Sequence, residues 1–291
     1  MPASIQDILS LPVGGRIDPL AKFARSLATG ELNGAGSDAG VVSATVNALV
    51  ALIEDGAGSG KQRVALGEAL GLLDDPRLRT PDDADYWAEV QLDDESPVLV
   101  GRFMVTTAEW RAFLANGYRD DANWSDEGRA WRDSVDQSWE QLADAAESDL
   151  VVPNQPVVGV TWYEAMAYAN AHNARLLTHG ERKWVVRGPE KRPYPWGAPF
   201  RAGYANSREE ALGRPTAVGI YRQDRTPEGI WDLAANVGEW AANRRGAECG
   251  YHPGSWKQDS LASWAKAFEF APAAHRFDDL GFRLARDPKA S

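Results

Sequence analysis

The chain has 291 residues, a net charge of −11 and one cysteine, Cys249. That length can bury one large core or two small ones, the acidic balance excludes a nucleic-acid backbone as partner, and a lone thiol excludes an intrachain disulfide. No run of about 18 apolar residues is present to span a membrane. The opening Met1-Pro2-Ala3-Ser4 stretch has no basic segment followed by an apolar one, so no secretion leader and a cytoplasmic location are expected.

Tryptophan divides the sequence, since all 12 lie between Trp87 and Trp264. Residues 1–84 have none and read as a small helical module. Leu20, Phe23 and Leu27 share a face over 19–28. Val42, Val46, Leu49 and Ile53 do so over 41–54, and Val64, Leu66, Leu70 and Leu73 over 62–73. Glycine-rich punctuation at 30–40 and 56–60 separates these helices. The helix at 62–73, with Ala69-Leu70-Gly71-Leu72-Leu73, resembles a HEAT-type unit. One unit does not make a solenoid, so the module is expected to cap or dock, with a partner protein for its helices. A linker at 80–85 leads into a second domain, 85–291.

That domain mixes helices with short strands and loops. Thr106-x-x-Glu109, Thr161-x-x-Glu164 and Thr178-x-x-Glu181 each have the capping-box spacing that satisfies open amides at a helix start. The helices they open should end near Gly117, near Ala174 and at Gly188-Pro189. Beyond Tyr194 no long period persists, and loop-rich structure on a small sheet is expected. No Gly-x-Ser-x-Gly elbow or phosphate-cradling loop is present. The segment 229–240, Gly-Ile-Trp-Asp-Leu-Ala-Ala-Asn-Val-Gly-Glu-Trp, ends in Asn236-x-x-Glu239. Mixed amide, carboxylate and carbonyl oxygens suit calcium, and a tight turn with a solvated Glu239 explains the same residues equally well.

The same segment resembles the Gly-Leu-x-Asp-Met-x-Gly-Asn-Val-x-Glu-Trp signature of the formylglycine-generating enzyme (sulfatase-modifying factor) family. Other stretches agree in order: 104–110 (Met-Val-Thr-Thr-Ala-Glu-Trp), 155–162 (Gln-Pro-Val-Val-Gly-Val-Thr-Trp), 175–178 (Arg-Leu-Leu-Thr), 194–197 (Tyr-Pro-Trp-Gly) and 280–285 (Leu-Gly-Phe-Arg-Leu-Ala). The resemblance covers roughly residues 85–286. It implies an α+β, C-type-lectin-like fold of the formylglycine-generating-enzyme subtype, loop-rich with short antiparallel strands.

It also implies what to look for chemically. The family's enzymes bind copper through two cysteines after a Gly-Gly-Ser-aromatic motif, here Pro253-Gly254-Ser255-Trp256. The expected thiol positions fall near Gln258 and Ser263, which cannot replace thiolates. Relatives that make sulfur–carbon bonds use iron held by His-x-x-x-His-x-Glu, a spacing that His172, His179, His252 and His275 do not have. Copper and iron are therefore not expected, nor catalytic residues. Calcium is expected through Asn236 and Glu239. Asn206 matches one residue of a second family site, whose aspartate position holds Gly219.

The segment 250–279 departs most from the family. It carries Tyr251, His252, Lys257, Trp264, Phe268, Phe270, His275 and Phe277 without a sustained period of 2 or 3.6. In C-type-lectin-like folds this is the ligand-binding face, and retroelement-diversified variable proteins vary there before a terminal Gly-Phe-Arg, here Gly281-Phe282-Arg283. The expectation is a non-catalytic binding protein presenting these residues to a protein or small-molecule ligand. The alternative is a metal-dependent oxidoreductase of the same superfamily with a non-cysteine metal site.

Overall fold

The structure, a computed structural model, describes residues 4–32, 38–93, 96–135 and 152–288. Part of the expected glycine punctuation, at 33–37, lies outside the described residues. The chain opens with helices α1 (Ile5–Ser10), α2 (Val13–Ala28), α3 (Ala39–Glu54) and α4 (Lys61–Gly71). Helix α2 starts six residues before the expected Pro19, which sits inside it. An interior proline forfeits a backbone bond and strains the helix by ~3 kcal/mol. Here Ile17, Leu20, Ala21 and Ala24 form one buried face that carries the helix through.

The compositional boundary near residue 84 is not a boundary of the core. One cluster joins Ile8, Leu20, Leu49, Ile53, Leu66 and Leu70 to Ala217, Ile220 and Tyr221. Helix α4 makes the junction, and its glycines explain how. A Cβ at Gly67 would meet Ile220 Cγ2 at 2.7 Å and Ala217 Cβ at 2.9 Å, and one at Gly71 would collide with the Asn154 side chain. Several polar groups at the junction are paired, although Asn154 Oδ1 is buried without a partner. Asn154 Nδ2 donates to Gly67 O at 3.0 Å and to Asp75 Oδ2 at 3.0 Å, and Arg77 donates to Gly219 O at 2.8 Å.

The second region holds β1 (Trp87–Gln91), β2 (Pro97–Gly101), α5 (Thr107–Asn116), α6 (Asp126–Ser134), α7 (Trp162–Ala171), β3 (Arg175–Leu176), α8 (His179–Arg187), β4 (Gly238–Arg245), β5 (Glu248–His252), β6 (Glu269–Pro272), β7 (Leu280–Gly281) and β8 (Leu284–Arg286). Among the described residues the strands form two sheets, ordered β1-β2-β8-β3 and β6-β5-β4-β7. Pairing is antiparallel except between β4 and β7. All three expected capping boxes are formed, with Thr and Glu side chains each reaching the other's backbone amide. Helix α7 stops at Ala171 rather than 174, because Asn173 turns to the left-handed φ of 49°. The largest core packs Trp110, Tyr168, Trp240 and Phe282 between helices and sheets.

One ion cluster ties the two sheets together. Glu239 on β4 is 2% exposed and lies between Arg182 of α8, at 3.3 Å, and the fully buried Arg283, at 3.1 Å. Arg283 also donates to Gly101 O, Arg102 O and Trp231 O, and Arg182 donates to Leu233 O. Burial alone would raise the Glu239 carboxyl, but Arg283 and then Arg182 outweigh it and hold it below the usual carboxylate range.

Two predictions follow from the core and the cluster. Gly67→Val should lower the urea-unfolding free energy by about 2 kcal/mol, through overpacking. Gly14→Ala, with open space at its Cβ, should leave it unchanged or raise it by up to ~1 kcal/mol. Equal midpoints for the two variants would refute the shared core. Glu239→Gln leaves two buried guanidiniums short of their anion and should cost about 3 kcal/mol or more at pH 7. A carboxyl lowered on folding contributes stability above its unfolded pKa, near 4.3, and that contribution is lost as pH falls through the folded value. Unfolding measured from pH 7 to pH 3 should therefore show wild type and Glu239→Gln converging on the acid side; a constant gap would contradict the pairing.

Candidate functional site: the 253–268 loop and its neighbours

In segment 229–240 the polar groups hold the backbone. Asp224 accepts the amides of Leu233, Ala234 and Ala235 at 2.9 to 3.3 Å, and Asp232 accepts that of Gly219 at 2.7 Å. Asn236 adopts a φ of 75°. Its Oδ1 accepts from Thr216 N at 2.9 Å, Thr216 Oγ1 at 3.2 Å and Asn206 Nδ2 at 3.0 Å, while its Nδ2 donates to Thr216 O.

These contacts correct the calcium expectation for Asn236 and Glu239, while the Asn206 Oδ1 is buried without a partner. The Asn236 oxygen already takes three donors, and Asn206 turns its amide nitrogen toward that oxygen. The Glu239 carboxylate sits between two guanidinium cations, where a calcium ion would be repelled. Asn236 and Glu239 do not fit a hard-cation cage. Among the described residues no group of three or more His, Cys, Asp or Glu is placed to hold a metal.

Cys249 lies on β5 in the main core, and burial pushes its thiol up to about 11, so it is not a ready thiolate. Gln258 and Ser263 stand on the loop 253–268. Ser255 donates to Asp279 Oδ2 at 2.7 Å, Tyr194 donates to Ser260 O at 3.1 Å, and the amide of Ala265 donates to Pro193 O at 2.9 Å. With the amide of Arg208 donating to Gln258 O and that of Ser260 to Glu209 Oε1, the loop is pinned along 193–209 and at Asp279. Leu261 is 75% exposed and Trp264 42% exposed at its outer edge, and Lys266 lies 5.4 Å over the Trp264 ring. Beside it Tyr194, Trp196, Phe200 and Tyr204 pack ring to ring on half-buried loop backbone, with Tyr194 and Trp196 stacked at 5.2 Å.

The expected recognition residues do not form one surface. Strands β5 and β6 pair antiparallel with Gly250 opposite Phe270 and Tyr251 opposite Glu269. Alternation along a strand sends successive side chains to opposite faces. His252, Phe268 and Phe270 share one face with His179, whose ring lies 4.2 Å from Phe268 and 5.2 Å from His252. A Cβ on Gly250 would run into the Phe268 ring. Tyr251 and Phe277 pack inward against Trp240 and the main core, and His275 lies on Phe277.

So Tyr251, Phe268, Phe270 and Phe277 are half-buried and packed ring against ring rather than free on a loop, and His252 is 2% exposed. Burial holds the His252 ring well below the ordinary histidine value. Its Nδ1 meets Ala267 O at 3.1 Å and its Nε2 is buried without a partner. Lys257 is tied to Asp278 and covers Trp256. Of the expected residues Trp264 and His275 stay exposed, Trp264 on the edge of this loop. Sequence reasoning missed Leu261 and the Tyr194, Trp196, Phe200 and Tyr204 cluster, although aromatics among prolines and glycines at 193–204 mark a rigid surface loop.

Residues 87–288 match the family described as Sulfatase-modifying factor enzyme 1-like domain. The chain is 36% identical over 157 residues to the hercynine oxygenase of Mycolicibacterium thermoresistibile, covering 50% of this chain and 35% of that one. It is 27% identical over 199 residues to the inactive C-alpha-formylglycine-generating enzyme 2 of Bos taurus, covering 57% and 66%. The solved structure of Treponema denticola variable protein 1 superposes with a TM-score of 0.50 at 17% identity, over 69% of this chain and 95% of that one, which is a likeness of fold. The chain spans about a third of the length of that hercynine oxygenase. Its α+β fold is C-type-lectin-like, of the formylglycine-generating-enzyme subtype. Signature, strand order and matched span agree, and the chain belongs to the sulfatase-modifying factor enzyme 1-like family.

Proposed function

We propose that this chain is a non-catalytic member of its family, a binding scaffold whose recognition face is the outer edge of loop 253–268 with the aromatic loop 193–204. The observation that carries the reading is the loop itself. Where the family's enzymes place a thiol pair, it holds Gln258 and Ser263, and it exposes Leu261 and Trp264 instead. Large rigid aromatics on loops gain contact area at low entropy cost. A relative named inactive and a fold neighbour named a variable protein fit this reading. The ligand is a protein or small molecule with an apolar group to cover these side chains.

The metal-dependent oxidoreductase remains the second reading. It is favoured by the identity to hercynine oxygenase and by the unpartnered ring nitrogens of the stacked His179 and His252. Incubating the chain with a sulfatase-type cysteine peptide, copper, oxygen and a reductant should leave the peptide mass unchanged. Ferrous iron with hercynine and a cysteine-derived thiol should give no oxygen uptake above the metal and thiol alone. Aldehyde formation that persists in Cys249→Ser, or hercynine-dependent uptake, would overturn the non-catalytic reading.

The face itself is testable by stability. Leu261→Ala and Trp264→Ala should each move the urea midpoint by less than ~0.5 kcal/mol equivalent, as surface changes do. Phe268→Ala, which empties the space between His179, His252 and Gly250, should cost on the order of 2 kcal/mol. If Trp264→Ala destabilises as much as Phe268→Ala, the loop edge is packed structure and the recognition face lies elsewhere.

A further inference from the structure

A second cleft lies where the helical module meets the family domain, far in sequence from the loop just described. It encloses about 310 Å³ and is lined by Arg25 of α2, by Lys61, Val64, Ala65 and Glu68 along α4, and by Ala211, Leu212 and Arg214. Its charge runs against that of the chain. In a protein with a net charge of −11, this cleft gathers Arg25, Lys61 and Arg214 around a single acid, Glu68. Arg25 reaches Glu68 Oε2 and Arg214 reaches Oε1. Among the lining residues three cations face one acid: Arg25 and Arg214 share Glu68, and Lys61 completes the set.

The placement of Lys61 sharpens the point. It is the first residue of α4, whose N-cap, Gly60, supplies no side-chain hydrogen bond. A cation at a helix N-terminus opposes the macrodipole, where an anion would be favoured. Local rules broken without local compensation are expected at functional sites. Arg25 and Arg214 have planar forks suited to carboxylate or phosphate oxygens. Val64, Ala65 and Leu212 offer an apolar wall for an organic body.

From this we propose that the cleft binds a small organic anion bearing carboxylate or phosphate groups, with Arg25, Lys61 and Arg214 as its charge partners and Glu68 as the internal anion it competes with. The occupant bridges α2 and α4 to segment 211–214, so binding would tighten the junction of module and family domain. The proposal is independent of the recognition face on loop 253–268.

Calorimetric titration of the full chain at low salt, with inorganic phosphate and separately with citrate, tests it. At least one should bind saturably, and which one does distinguishes a phosphate from a carboxylate head group. Lys61→Ala and Arg25→Ala should each weaken that binding about fivefold, the scale of a partly exposed charge pair. Glu68→Gln should tighten it, because the competing carboxylate is gone. Lys61→Ala should at the same time leave the melting temperature unchanged or raised, so weaker binding cannot be ascribed to misfolding. No saturable binding of either anion, or equal affinity in wild type, Lys61→Ala and Glu68→Gln, overturns the proposal.

Discussion

A single buried carboxylate organises the family domain. Glu239 sits on β4, and the two arginines that neutralise it reach outward to backbone carbonyls of other segments. Arg283 collects those of Gly101, Arg102 and Trp231, and Arg182 takes that of Leu233. The carbonyls belong to the end of β2 and to the part of segment 229–240 before β4, where the ladder runs out. A buried ion pair is weak evidence for stability in itself, because desolvation offsets the attraction. Its value here is registration. Three charges with fixed geometry set where β2, segment 229–240 and β4 stand relative to one another, and loose backbone is held by side chains where strands are too short to hold it.

This reordering of roles explains why the signature segment misleads when read by composition. Carboxylates, an amide and indoles in one short run suggest a ligand cage. In the fold, Asp224 and Asp232 cap amides, Asn236 locks a left-handed turn onto Thr216, and Glu239 answers arginines that lie 57 and 44 residues away. Oxygen-rich sequence meets protein donors before it meets an ion. The same economy applies to Ser255, which donates to Asp279 and fixes the root of the 253–268 loop.

What the sequence revealed and what it hid follow one physical division. The capping boxes at Thr106, Thr161 and Thr178 were legible because the interaction spans three residues, and the module's helices because their faces repeat locally. The ordered motifs placed the fold. The calcium reading failed because the partners of Glu239 are remote. The reading of 250–279 failed in part because β5 and β6 are short, and loop residues between them hide the two-residue period. Once Tyr251 is seen opposite Glu269, the sorting of Tyr251 inward and of Phe268 and Phe270 to the His179 face is simple alternation. Leu261 gave no signal, since exposure of a single leucine has no pattern.

The core that crosses residue 84 also sets the order in which this chain can become itself. Leu49, Ile53, Leu66 and Leu70 complete their packing only against Ala217, Ile220 and Tyr221, contacts that close long loops of chain. Such contacts are slow to form because closure entropy must be met before they contribute. During synthesis from the N-terminus the helices emerge first, with the α4 face that Gly67 keeps flat still open to water. They wait through the whole of the first sheet's leading strands for the short segment that covers them. The module is therefore early in sequence and late in consolidation, and its apolar face is the surface a nascent chain must keep from other partners until residue 221 has been made.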